Sequence, residues 1–166
     1  SVAVENGAKV IFNLSAAVQT AGKYAQVKDA VSSLSQRLEA AYVYSSAGFG
    51  ESTTDYVFAG NALVAECGKV LASAHHFSLE EQLIVADVDV ELISFQRRSR
   101  NTISQRYTAE EYAVNEITLG DSFAEQTLDR KVDSMPFVPA CTAQRNALCE
   151  EVFSLQVLGL VKRLKH

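Results

Sequence analysis

The side chains of this sequence best suited to chemistry are the cysteines Cys67, Cys141 and Cys149, the pair His75-His76, and the closely spaced Asp87 and Asp89. A nucleophilic enzyme needs a Cys, Ser or Lys activated by a neighbouring base. Cys67 stands in an X-Gly turn, Cys141 in a Pro-rich stretch and Cys149 in a long apolar-periodic run, and none has a catalytic motif around it. Free cysteines commonly serve as small core hydrophobes. An odd number without CxxC spacing argues against a disulfide framework or a zinc site and fits a reducing cytoplasm. His75-His76 lacks a third ligand at a recognised spacing, so it reads as surface loop and no metal site is expected. Asp87 and Asp89, at i, i+2, would share one strand face, and strand ends are commonly acidic. No GxxxxGK[ST] or GxGxxG loop is present; GFGES at 48–52 is glycine-rich but lacks the phosphate-binding lysine.

Composition narrows the class further. The 166 residues are 48% hydrophobic and 21% charged, ordinary for one globular domain with a tail. The net charge of −5 gives no basic field for nucleic acid or anionic lipid. No apolar run approaches the roughly 20 residues of a membrane helix. The opening SVAVENGAKV has no basic start or apolar core of a signal peptide.

Periodicity then supplies the elements that would position any site. VIFNL at 10–14 reads as a buried strand. Val27, Val31, Leu34, Leu38 and Ala41 recur as one face of an amphipathic helix. AYVYSSA at 41–47, rich in aromatic and β-branched residues, reads as strand again. ALVAE and KVLASA around Cys67-Gly68 form a hairpin pattern, LIVADVDV at 83–90 a further strand, and ELISFQRRSR a helical start. This order predicts an α/β layered domain. From 99 to 140 periodicity weakens and the only prolines, Pro136 and Pro139, stand near its end. That segment reads as an extended linker or arm anchored by Tyr107, Tyr112, Phe123 and Phe137. A helix of about 20 residues follows, with Thr142 as its N-cap and two apolar stripes. Lys162, Arg163, Lys165 and His166 suit its C-terminal end.

Taken together, several stretches resemble one family. GAKVIFNLSAA…GK, AAYVYSSAGFGESTTDYVFAGNALVAECGKVLASA and LIVADVDVE resemble the later half of a carbon–nitrogen hydrolase (nitrilase-type) domain, most closely the glutaminase domain of the glutamine-dependent NAD synthetases. RKVDSMPFVPA and CEEVFSLQVLGLVKRL resemble the linker and opening helix of the synthetase half. The resemblance implies a glutaminase segment over 1–98, a linker over 99–140 and the first synthetase helix over 141–166. It implies part of an α-β-β-α sandwich as the fold, followed by an extended linker and C-terminal helix. The implied activity hydrolyses glutamine through a Cys–Glu–Lys triad and uses the ammonia, with ATP and Mg, to amidate nicotinic acid adenine dinucleotide to NAD.

The resemblance also sets expectations for this chain's own residues. The family triad falls before Ser1 and its ATP loop after His166, so the chain alone is expected to be inactive and to look truncated. Lys23 occupies the basic position beside bound glutamine, where Arg is frequent, and could pair with the substrate carboxylate without Arg's bidentate fork. Ala17 occupies the preceding polar position, where Ser is common, and Ser15 lies nearby. Glu51, Ser52, Thr53, Thr54 and Asp55 read as a loop that closes on itself and forms the wall of an active site. Uncovered core faces would promote homo-oligomers or domain swapping. Two other readings stand beside this one: an amidase of another carbon–nitrogen hydrolase branch, against which the linker and fresh helix argue, and a non-catalytic assembly module.

Overall fold

The computed structural model describes residues 2–100, 115–118, 130 and 132–165. By its contacts the chain divides into two units, Ser1–Arg130 and Lys131–His166. In the first, a single-turn helix α1 (Val2–Glu5) precedes β1 (Val10–Ser15), the strand formed by VIFNLS. The amphipathic repeat becomes α2 (Lys23–Leu38), and AYVYSS becomes β2 (Ala41–Ser46), parallel to β1 with Val10 opposite Ala41. Parallel strands need a crossover, and α2 supplies it. The helix ends before the apolar repeat does. Glu39 turns left-handed at φ 45°, and Ala41 opens β2 instead of extending the helical face.

The expected hairpin is present as β3 (Ala62–Glu66) and β4 (Lys69–Ser73). It completes a four-stranded sheet of order β1-β2-β3-β4, antiparallel after the first pair. Cys67 and Gly68 both have positive φ, 46° and 96°, as a two-residue turn matched to strand twist requires. The turn sits on α2. Ser32 Oγ donates to the Gly68 carbonyl, and fully buried Ser35 accepts from Gly68 N at 2.8 Å.

The run LIVADVDV is not a strand. Residues 81–89 have no regular structure, Leu83 and Val85 are 90% and 74% exposed, and a helix α3 (Val90–Arg100) begins inside the run. Two of its backbone groups are taken by side chains instead of a ladder. Asp89 N donates to Glu66 Oε2 at 2.6 Å, and the Asp87 carbonyl accepts from Arg130 at 3.3 Å. Asp89 Oδ1 accepts the Leu92 N–H at 2.7 Å. The acid expected at a strand end is therefore an N-cap.

The core lies between α2 and one sheet face. Val31, Tyr42, Tyr44, Leu63 and Ala65 form it, with Ile11, Val27 and Val70 packed around them. The Tyr42 hydroxyl accepts from Asn13 Nδ2 at 3.0 Å, which satisfies a phenol oxygen at the edge of this cluster. On the other face β1 presents Phe12 and Leu14, 73% and 84% exposed.

In the second unit, α4 (Thr142–Leu164) is the expected long helix, and both of its apolar stripes are solvent-exposed. Its N-cap is Cys141, extended at φ −75° and ψ 125°. Thr142 is already the first helical residue, one position too far in to cap. Of the expected anchors, Phe137 is 88% exposed, while Tyr107, Tyr112 and Phe123 lie outside the described residues. Ser99 belongs to α3, so that helix continues past 98. Among the described residues no helix is long and apolar enough to cross a membrane.

Leu63 is fully buried at the centre of the core. Leu63→Ala is expected to lower unfolding stability by about 2–5 kcal/mol, through lost burial and an unfilled cavity. Urea melts followed by circular dichroism check it; a loss below about 1 kcal/mol would contradict this packing.

Candidate functional site

Because β1 and β2 run parallel, the segments leaving their C-terminal ends, after Ser15 and Ser46, emerge on the same side. Three hydrogen bonds join them. Ala47 N donates to the Ser15 carbonyl at 2.9 Å, Gln19 N to the Val57 carbonyl at 2.8 Å, and Asn61 Nδ2 to Gln19 Oε1 at 3.0 Å. The structure thus brings the Ala17–Lys23 turn and the Glu51–Asp55 loop to one end of the sheet.

Each candidate residue has a definite local role there. Lys23 opens α2 behind a left-handed Gly22 (φ 78°) that provides no side-chain cap. Its half-buried side chain donates to the Val18 carbonyl and so closes its own turn. Ala17 N donates to Ser15 Oγ at 3.3 Å, and the methyl of Ala17 adds no polar group. In the loop, a 3₁₀ turn covers Phe49–Glu51. Ser52 Oγ accepts from Phe58 N at 3.0 Å. Thr53 Oγ1 accepts the N–H groups of Asp55 and Tyr56 at 3.3 and 3.1 Å. The loop therefore bonds to itself, while Glu51, Thr54 and Asp55 stand exposed. Its two ends pass at Gly48 and Gly60, where a Cβ on Gly60 would lie 3.6 Å from Gly48 Cα. Gly60 also has φ 64°, which favours glycine.

Residues that sequence reasoning missed frame the same end. A cavity of about 450 Å³ opens at the start of α2, bordered by Gln19, Gly22, Tyr24, Val57, His76 and Phe77. His76 stacks on Tyr24 with ring centroids 4.4 Å apart and meets Phe77 edge-on at 5.1 Å. His76 is thus a cavity-wall residue as well as an exposed one. Only tertiary structure joins positions so distant in sequence, and no local motif signals it. The backbone of His75 is held by Gln82, whose side chain accepts from its N–H at 2.9 Å and donates to its carbonyl at 2.6 Å.

Cys67 follows Glu66, at the end of the sheet opposite this site. Burial, then the carboxylates of Glu66 and Glu39, push the Cys67 thiol above its ordinary value, opposite to what a nucleophile needs. Cys141 lies in the second unit, and its thiol is lowered by the backbone N–H groups of Gln144 and Ala143 at the start of α4. Among the described residues no group of three or more His, Cys, Asp or Glu could hold a metal ion.

The sequence is 37% identical over 164 residues to a glutamine-dependent NAD(+) synthetase of Mycobacterium leprae, and 35% identical to those of Mycobacterium bovis and Mycobacterium tuberculosis. Its homologues are glutamine-dependent NAD(+) synthetases. The match takes in 96% of this chain, which spans 24% of the length of each of these relatives. No protein-family model matches the sequence. Among solved structures, the glutamine-dependent NAD(+) synthetase of Cytophaga hutchinsonii overlaps 46% of this chain and 13% of its own, with a TM-score of 0.44 and 30% identity. That of Acinetobacter baumannii, solved with ADP, overlaps 46% of this chain and 14% of its own, with a TM-score of 0.44 and 20% identity.

Thr53→Val removes the acceptor of two loop N–H groups and is expected to cost about 1 kcal/mol of stability in urea melts. Thr54→Val, at an exposed position, should stay within about 0.5 kcal/mol of the parent. Equal effects of the two would contradict the loop geometry. The thiols give a second check. Iodoacetamide reacts with thiolate, so Cys141 should reach half-maximal alkylation below pH 9.0, the ordinary thiol value, and Cys67 above it. Peptide mass spectrometry across a pH series would read this order, and the reverse order would contradict it.

Proposed function

We propose that this chain is part of a glutamine-dependent NAD synthetase: the later portion of its glutaminase module over 1–98, a linker over 99–140, and the entry to its synthetase module over 141–166. The observation that carries this reading is the 37% identity running through 164 residues to the M. leprae synthetase. In the proposed whole enzyme, glutamine hydrolysis supplies ammonia, and ATP with Mg drives amidation of nicotinic acid adenine dinucleotide to NAD. The sheet described above is then one layer of an α-β-β-α sandwich whose second layer packs over Phe12 and Leu14. The enzyme is proposed to be a cytoplasmic homo-oligomer.

Within that enzyme this chain holds and shapes the site instead of attacking the substrate. Support comes from Cys67, the thiol beside the sheet, which burial and neighbouring carboxylates push away from thiolate. Lys23 is proposed to pair with the carboxylate of glutamine. The loop with Glu51, Ser52, Thr53, Thr54 and Asp55 is proposed as the wall beside it, and the backbone at Ala17 as its neighbour.

A chimera tests the proposal, with this chain replacing the homologous quarter of the M. tuberculosis enzyme. The chimera is expected to form NAD from glutamine, whereas the chain alone should release no ammonia from it. Lys23→Met in the chimera should raise KM for glutamine about 10- to 100-fold, the loss of one charge-assisted hydrogen bond. NAD formation from added ammonium should stay within about twofold. A folded chimera that uses ammonium but not glutamine would overturn the reading, as would a Lys23→Met chimera with unchanged KM.

A further inference from the structure

Glu66 is a buried carboxylate, its side chain only 3% exposed, at the end of a strand otherwise made of Ala, Leu and Val. Burying such a charge is unfavourable unless it is paired and fully hydrogen-bonded. Here both requirements are met by groups distant in sequence. Arg130 Nη2 donates to Glu66 Oε1 at 2.6 Å and Nη1 to Oε2 at 2.9 Å, a bidentate fork. Asp89 N takes Oε2 as well, at 2.6 Å. The same guanidinium donates to the Asp87 carbonyl at 3.3 Å, so it binds the irregular segment before α3 along with the strand.

This socket stands at the end of the sheet opposite the candidate site, because Glu66 pairs with Ala41, the first residue of β2. Other arginines converge on that end. Arg97 donates to the carbonyls of Glu39 and Ala8 at 2.8 and 2.7 Å, and Arg100 lies 3.8 Å from Glu39 Oε1. Arg130 differs from them in place: it is the last residue of the first unit, and the second begins at the next position.

We infer that the Glu66 carboxylate is a socket for one guanidinium, and that the Glu66–Arg130 pair is the clasp fixing where the chain leaves the sheet unit for the second unit. The clasp holds the irregular segment before α3 at the same time, through Asp87 and Asp89. Lysine cannot replace the arginine, since a single ammonium cannot span both carboxylate oxygens and reach the Asp87 carbonyl in one plane.

Trypsin cleaves after arginine only when the side chain can leave its contacts, so it reads the clasp directly. In the full chain, Glu66→Gln keeps the shape and an acceptor for Asp89 N but removes the charge. It should speed cleavage after Arg130 at least tenfold relative to cleavage after exposed Arg98. Equal relative rates in parent and variant would overturn the proposal. Should Glu66→Gln fail to fold, Arg130→Gln supplies the second measurement. With circular dichroism unchanged, amide hydrogen exchange across 83–92 is expected to rise at least tenfold, with Arg130→Lys in between. Exchange identical to the parent in Arg130→Gln would equally overturn it.

Discussion

The seating of the Cys67–Gly68 turn on α2 is the contact from which the sheet takes its register. Gly68 has φ 96°, and a Cβ there would lie 3.1 Å from Gln36 Cβ, so both conformation and space call for glycine. Its carbonyl and N–H are both held by the helix, through Ser32 and Ser35. With the turn held, β3 cannot slide. A one-residue slip would carry Leu63 and Ala65 out of the core and turn the Glu66 carboxylate toward it. Because β2 is registered on β3 and β1 on β2, this contact also sets which loops meet at the far end.

The two ends of the sheet have different chemistry. At one, Glu39 and Glu66 meet Arg97, Arg100 and Arg130, with backbone carbonyls sharing the guanidinium donors. At the other, Ser15, Gln19, Ser52, Thr53 and Asn61 close loops with neutral hydrogen bonds, and Lys23 adds a charged donor to its own turn. Charge-assisted bonds sheltered from water suit the end where chain segments are fixed. Neutral loops that leave Glu51, Thr54 and Asp55 exposed suit the end proposed to face a substrate. Strands of five residues separate the two by roughly 15 Å, so the charged end acts on the other through strand register and not through direct contact.

What the sequence disclosed follows from where the determining interactions lie. β1, α2, β2 and the hairpin were legible because each has its own periodicity or turn chemistry, and Cys67-Gly68 signalled its turn within two residues. LIVADVDV was misread because an apolar run satisfies the same pattern whether or not a neighbouring strand exists. The groups that claim its backbone, on Glu66 and Arg130, are remote in sequence. The cap of α4 moved by one residue, within the usual uncertainty of helix ends. At the candidate site, Lys23 was visible through family resemblance alone, whereas the GFGESTTD loop was also marked by its small, polar residues between apolar runs. Gln19 with Asn61, and Tyr24 with His76, carried no local signal, because only the fold makes them neighbours.

Lys23 tests whether the local geometry and the proposed role are compatible. Its ammonium already donates to the Val18 carbonyl, which could suggest a cation fully engaged in closing its turn. An ammonium has three donors, however, and one carbonyl uses one of them. A carboxylate arriving at this turn could take another without breaking the turn. It would also approach the first turn of α2, where Gly22 gives no capping side chain and the helix dipole favours negative charge. An arginine here would gain a second parallel hydrogen bond to the carboxylate, whereas lysine offers a point charge already oriented by its own backbone contact. If Lys23 has the proposed role, this structural contact would also pre-position the cation and lower the conformational freedom it loses on binding.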